Sequence, residues 1–223
     1  RHLHTFSNGA QHWATDLPVT EAIEKLKQRG DVEYAEPNLI QRTQDVPNDP
    51  MQSNQWAWPV IRAFDAWRVT HGSAAVVIAD IDTGVTYTHP DLAANIWTNG
   101  GETPGDGIDN DANGFVDDVH GYDFYDEDGD PMDENAHGTH VAGTIGAVSN
   151  NGVGVAGVNW NVRIMAVRFL GPCGSGNTAD SIRAIDYARQ NGATILSNSW
   201  GCGPATNCFS QALYDAIALA RDA

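Results

Sequence analysis

An α/β protein with a parallel, three-layer sheet, preceded by a small α+β unit, is the fold the sequence predicts. Three observations point to it. A short Val- and Ile-rich run, Ala74 to Ile81, has the continuous apolar character of a strand buried on both faces. Further runs of this kind alternate with helical segments, which implies parallel strands joined by right-handed crossovers. Finally, the chain changes character across a polar segment, Gln41 to Asp49, that carries Pro47 and leads to Pro50. That segment reads as a linker and divides the chain into residues 1–44 and 45–223.

In the first unit, Val19, Ala22, Ile23 and Leu26 recur at helical spacing after Pro18, with Gly30 as the stop. Val32 and Tyr34 then alternate with charged residues, as in an edge strand. In the second unit, residues 83–136 are rich in Gly, Asn and Asp and lack helical periodicity, so they read as loops. His137 to Val148 has the small and apolar residues of a tightly packed helix. Val162 to Leu170 reads as a strand, Ala179 to Gln190 as a helix with Thr178 as its cap, Ala193 to Ser197 as a strand, and Phe209 to Arg221 as a helix. In folds of this type the chemistry gathers at the carboxyl ends of the strands.

A chain of 223 residues can build one sizeable core and a small appendage. No apolar run approaches the length of a membrane span. The net charge of −17 excludes a basic surface for nucleic acid or anionic membrane. Of the 29 acidic residues, 16 lie between Asp80 and Glu134, where there is no Lys or Arg. So many carboxylates without counter-charge oppose folding, which favours bound cations. Cys202 and Cys208 flank a Gly-Pro-Ala-Thr-Asn loop and read either as a bridge formed in an oxidising compartment or as thiols; Cys173 has no evident partner.

Two short motifs carry chemistry. Asp82-Thr83-Gly84 ends the first buried strand, placing a carboxylate before a tight turn. His137-Gly138-Thr139-His140 opens the helix after the acidic loops, where an imidazole can reach a neighbouring strand end. With His89-Pro90-Asp91-Leu92, the extended motif from His137 to Gly143, Gly174-Ser175-Gly176 and Ser199-Trp200-Gly201, the sequence resembles the subtilisin-like serine proteases, or subtilases, over nearly its whole length.

The resemblance implies a subtilisin-like sheet in residues 45–223, with Asp82 orienting the imidazole and His137 as general base and acid. His89, His140 and Asp80 are expected to be structural. Asp80 departs from the family's usual apolar residue, and lies on the same strand face as Asp82. Ala136 replaces the usual Gly. Gly174, Ser175, Gly176, Ser199, Trp200 and Gly201 are expected to form the two edges that receive an extended peptide. The family's Gly-Thr-Ser-x-Ala nucleophile motif and Ala-Gly-Asn oxyanion segment do not occur here. The chain therefore reads as the first part of a catalytic domain, inactive alone. Residues 1–44 resemble the end of an inhibitory propeptide, with Val32 to Asn38 as its closing strand and maturation between about Ile40 and Asn48. The implied protein is secreted, acts on peptides or proteins, and is held inactive by its own propeptide.

Calcium is the expected cofactor. Asp109, Asp111, Asn113, Asp117 and Asp118 have the alternating oxygen ligands of an EF-hand-like loop around Gly114, with Asp117 or Asp118 in place of the usual closing Glu. Asp123, Asp126, Asp128 and Asp130 resemble a second subtilase calcium site. Asp49, Asp91 and Asn150, with backbone oxygens near Val148, Val153 and Val155, resemble the family's tight site. Two other readings are a truncated, non-catalytic relative that binds peptide and a calcium-dependent structural module; Asp82 and His137, both intact, argue against them. A zinc protease is disfavoured, since His-Gly-Thr-His is not the His-Glu-x-x-His helix.

Overall fold

The computed structural model describes residues 1–40, 46–203 and 208–223. Part of the expected linker and maturation segment, and the middle of the Cys202–Cys208 loop, lie outside the described residues. The chain divides into two compact units, residues 1–43 and 44–223.

The first unit is a hairpin and a helix. Strands β1 (His2–Thr5) and β2 (Gln11–Trp13) pair antiparallel, and helix α1 (Val19–Lys27) follows Pro18 as its apolar spacing predicts. The hairpin is absent from the sequence reading, although Asn8-Gly9 marks its turn. Gly9 takes φ +86°, and the Asn8 side chain accepts a hydrogen bond from the Ala10 N–H at 3.1 Å. The expected strand at Val32 to Asn38 does not form: residues 31–40 contain none. Alternation over so few residues, with no partner strand supplied, is not enough to hold an extended segment in a ladder.

The second unit is built on a four-stranded parallel sheet. Helices α2 (Ala57–Val60) and α3 (Ala63–Trp67) precede β3 (Gly72–Asp82). Then come β4 (Gly121–Asp123), helix α4 (His137–Gly146), β5 (Asn161–Arg168), α5 (Thr178–Gln190), β6 (Ile195–Ser197) and α6 (Gln211–Arg221). The strand order is β4-β5-β3-β6, with Asp82 opposite Arg168 and Asp80 opposite both Ala166 and Ser197.

Alternate residues of the two long strands feed two cores. Ala79, Ile81, Met165, Val167 and Phe169 pack with Ala184, Ile185, Tyr187 and Ala188 of α5 and Ala216 of α6. On the opposite face Ile78, Ile164 and Ala166 pack with Ala142 of α4, Val85 and Leu92. Three layers result. Each fully buried Ile, Val or Phe contributes about 1.5–3 kcal/mol through apolar burial, which makes the two-sided sheet the stable element.

Two details depart from expectation. The loop region holds β4, whose signal is the alternation Gly121-Tyr122-Asp123-Phe124; Gly121 sits so close to Ala166 that a Cβ would lie 1.7 Å from its carbonyl oxygen. The cap of α5 is Asn177 rather than Thr178, its side chain accepting from the Asp180 N–H at 3.0 Å. Among the described residues no helix is long and apolar enough to cross a membrane.

Candidate active site

The carboxyl end of β3 is where the chemistry converges. Asp82, the last residue of that strand, is 0% exposed. Its Oδ1 accepts from the Thr83 N–H at 2.6 Å and from Nδ1 of His137 at 2.7 Å. His137 is the first residue of α4 and its side chain is 49% exposed. Asp82 therefore selects the tautomer with the proton on Nδ1, leaving Nε2 as the acceptor on a half-exposed ring. Two glycines make the approach possible. Gly84 turns at φ +98°, and a Cβ on Gly138 would lie 2.2 Å from the Gly84 carbonyl oxygen.

The start of α4 is held by Thr83 and by Asp133, the second of which the sequence reading passed over. Ala136, at the N-cap, offers no side-chain hydrogen bond and adopts φ +82°, a conformation suited to the Gly it replaces. The Thr83 hydroxyl oxygen accepts from the Gly138 N–H at 2.9 Å, and Asp133 accepts from the Thr139 N–H at 2.9 Å. Asp133 also accepts from the Thr83 hydroxyl at 2.9 Å. Its spacing from His137 was the available signal: an acid within one turn ahead of a helix start.

Asp80 is also 0% exposed, and neither carboxylate oxygen has a hydrogen-bond partner among the described residues. Burial, and then the negative charges of Asp82 and Asp133, push its pKa well above the usual carboxylate range. Burial and its acidic neighbours thus favour the protonated form of Asp80, which makes no hydrogen bond among the described residues.

Both expected groove edges lie at the carboxyl end of the sheet. Gly174, Ser175 and Gly176 follow β5; the Ser175 carbonyl accepts from the Gly171 N–H at 3.0 Å, and a Cβ on Gly176 would lie 2.3 Å from the Phe169 carbonyl oxygen. Ser199, Trp200 and Gly201 follow β6, and the Trp200 ring meets Phe169 edge-to-face at 4.9 Å. Phe169 thus touches both edges. Just beyond, Cys202 and Cys208 are joined in a disulfide, while Cys173 is an exposed free thiol.

The acidic loops divide into three different environments. Carboxylate oxygens of Glu102, Asp109 and Asp111 lie within 4.8 Å of one another, so the first cluster gains Glu102, which the sequence reading missed. Asn113 donates to Asp118 at 3.0 Å. Asp118 is wholly buried; burial raises its pKa, against hydrogen bonds from Tyr187, Asn113 and Asn99. Asp117 is turned away, accepting from the N–H groups of Gly105, Asp106 and Gly107, so it does not close this shell. A set of oxygen donors with no Lys or Arg from Asp80 to Glu134 fits a hard cation such as calcium.

Asp123, Asp126, Asp128 and Asp130 are not brought together as one ligand set. Arg168, 3% exposed, puts its guanidinium 2.9 Å from Asp123, 3.4 Å from Asp126 and 2.7 Å from Glu134. Asp130 instead accepts from the Tyr87 hydroxyl, and Asp128 from the Asp130 N–H. Arg168 thus pairs with two of the four aspartates, and the other two turn to other partners. Burial pushes Asp123 up to about 6, with the Asp126 and Tyr125 N–H groups and Arg168 acting in the other direction.

In the third set, Asp49 and Asp91 are both buried around the loop 148–155. Asp49 accepts from the Asn150 and Asn151 N–H groups, and Asp91 from the Asn151 side chain and the Val155 N–H. The Asn150 side chain turns instead to the Asn48 N–H, at 3.2 Å. His89 has a local role as expected, its Nδ1 accepting from the Asp91 N–H at 3.1 Å.

Comparison with known proteins bears on the family. Residues 73–222 match the subtilase family. The chain is 40% identical over 200 residues to the thermophilic serine proteinase of Bacillus sp. strain AK1, across 89% of this chain and 43% of that protein. It is 38% identical over 177 residues to the halolysin-like extracellular serine protease of Natrialba magadii, across 78% of this chain and 29% of that protein. A solved protease structure from Pseudoalteromonas arctica matches with a TM-score of 0.59 at 32% identity, covering 79% of this chain and 56% of that one. The chain spans less than half the length of these two sequence relatives. A family match over most of the second unit, a shared sheet architecture and an Asp–His pair at the end of β3 lead to one assignment: this chain belongs to the subtilase family of subtilisin-like serine proteases.

Proposed function

We propose that the protein containing this chain is a secreted, calcium-stabilised serine endopeptidase made as a zymogen, in which Asp82 and His137 are two members of the catalytic triad. One observation carries the reading: a wholly buried carboxylate holds Nδ1 of a half-exposed imidazole at 2.7 Å. In the proposed reaction Nε2 of His137 takes the proton of a serine hydroxyl as its oxygen attacks the substrate carbonyl carbon. The imidazolium, stabilised by Asp82, returns that proton to the amine nitrogen as the C–N bond breaks. Water then repeats the cycle to free the acid. The serine and the oxyanion donor belong to motifs that these 223 residues do not contain, so the chain by itself is expected to be inactive.

Gly174 to Gly176 and Ser199 to Gly201 are proposed as the edges that pair with an extended peptide or protein substrate. Residues 1–44 are proposed as the end of the chain's own inhibitory propeptide. Secretion is supported by the extracellular relative and by the Cys202–Cys208 bridge, which suits an oxidising compartment. Glu102, Asp109 and Asp111, with Asn113 and Asp118 beside them, would hold calcium and neutralise the loop; Asp49 and Asp91 form a second oxygen-rich set.

The test is made in the enzyme that carries the serine. His137→Ala is expected to abolish labelling by a fluorophosphonate, and undiminished labelling would remove His137 as the base. In the chain itself, Asp82→Asn is expected to abolish the low-field Nδ1–H resonance of His137 seen by NMR; a retained resonance would refute the pairing.

A further inference from the structure

Asp133 bonds both to Thr83, directly after the strand that presents Asp82, and to Thr139 of the helix that presents His137. Its Oδ1 accepts from the Thr83 hydroxyl at 2.9 Å, from the Asn135 N–H at 2.9 Å and from the Ala136 N–H at 3.0 Å. Its Oδ2 accepts from the Thr139 N–H at 2.9 Å and from the Thr139 hydroxyl at 2.5 Å. Thr83 closes the circuit, since its N–H donates to Asp82 and its hydroxyl oxygen accepts from the Gly138 N–H. Three of the four residues flanking the pair, Thr83 after Asp82 and Ala136 and Gly138 around His137, are thereby tied within two hydrogen bonds to one carboxylate.

We infer that Asp133 is a positioning residue for the proposed reaction: it clamps the end of β3 to the first turn of α4 and so fixes the distance and angle between Asp82 and His137. The inference rests on the catalytic reading of that pair. Two features of the site require such a clamp. Ala136 supplies no cap and holds a left-handed backbone, so the helix start has no local means of staying in place. The Asp82–His137 hydrogen bond spans 55 residues of sequence, and only contacts across that gap can hold it within the few tenths of an ångström that proton transfer demands. An ionised carboxylate suits this role. Burial acts to raise the Asp133 pKa, but the bonds from Thr139, Asn135 and Ala136 outweigh burial and hold it below the usual range, which favours the ionised, accepting form.

The experiment separates the clamp from the charge. The low-field Nδ1–H resonance of His137 is followed by NMR in the full chain for Asp82→Asn, Asp133→Asn and Asp133→Ala. Asn removes the charge but keeps Oδ1 for Thr83, Asn135 and Ala136; Ala removes charge and clamp. The expected result is that Asp133→Ala loses the low-field resonance, while Asp133→Asn retains it. Loss of the resonance in both Asp133 variants would reduce Asp133 to a bystander charge and overturn the inference, as would its retention in both. If Asp133→Ala does not fold, Thr83→Val removes the strand end of the clamp and is expected to behave as Asp133→Ala; a wild-type resonance in it overturns the inference. Retention of the resonance in Asp82→Asn would refute the catalytic pairing itself, a separate outcome.

Discussion

Replacing Asp80 with valine tests the account of the sheet interior most sharply. Asp80 is wholly buried in the central strand and both its oxygens lack partners among the described residues. An unsatisfied buried polar group costs about 1–3 kcal/mol, and valine fits a strand of this kind in shape and propensity. The sign of the pH effect follows from the direction of the pKa shift. Folding raises the Asp80 pKa, so the folded state keeps a proton that the unfolded chain releases near pH 3.9. The stability from this group is therefore fully present below about pH 3.9 and is lost as pH rises toward the folded pKa, at about 1.4 kcal/mol for each unit in that window. Asp80→Val removes both the static cost and the slope. The assay is urea unfolding of wild type and variant, followed by tryptophan fluorescence at pH 4, 5, 6 and 7 in excess calcium. The variant is expected to be the more stable by about 2 kcal/mol or more at pH 7, with the difference shrinking steadily toward pH 4. A constant difference across that range, or a less stable variant at pH 7, would mean that Asp80 has a charged or hydrogen-bonded role the structure does not reveal.

The double variant Asp109→Ala, Asp111→Ala should melt lower than wild type in calcium and equally in chelator, as measured by calorimetry; equal losses in both would remove calcium from that loop. Ala136→Gly relieves a left-handed backbone, and should raise the urea midpoint by an amount worth about 0.5–1 kcal/mol after the entropy cost of glycine; a lowered midpoint would show that φ +82° carries no strain there.

The parts of the fold that were legible are those where one physical signal dominates. The Val- and Ile-rich runs of β3 and β5 admit no reading but buried strands, and the helical spacing of α5 and α6 has length on its side. The Asp82–His137 pair was legible because each opens a short motif, Asp82-Thr83-Gly84 and His137-Gly138-Thr139-His140, whose glycines leave room for the two segments to meet. What escaped depends on partners distant in sequence. Asp133 and Arg168 look like ordinary loop and strand-end charges until Thr83 and Glu134 are seen beside them. The aspartates at 123 to 130 have metal-like spacing, yet spacing cannot register that a buried arginine arrives from β5. Asp117 failed for a related reason: three backbone N–H groups of residues 105–107 claim it first. The hairpin at the start of the chain had its Asn-Gly signal, but strands so exposed carry almost no apolar pattern.

The strand order β4-β5-β3-β6 reaches further than the placement of two side chains. After β4 the chain passes to α4 on one face; after β5 it passes to α5 on the other and then crosses β3 to reach β6. Connections that part to opposite faces leave a crevice beyond the carboxyl ends of the strands, whatever residues line it. Cleft and chemistry are therefore separable properties of this chain: the first is written in its connectivity, the second in a handful of residues at the crevice floor. A chain without Asp82 and His137 would keep that crevice, because the order of the strands alone makes it.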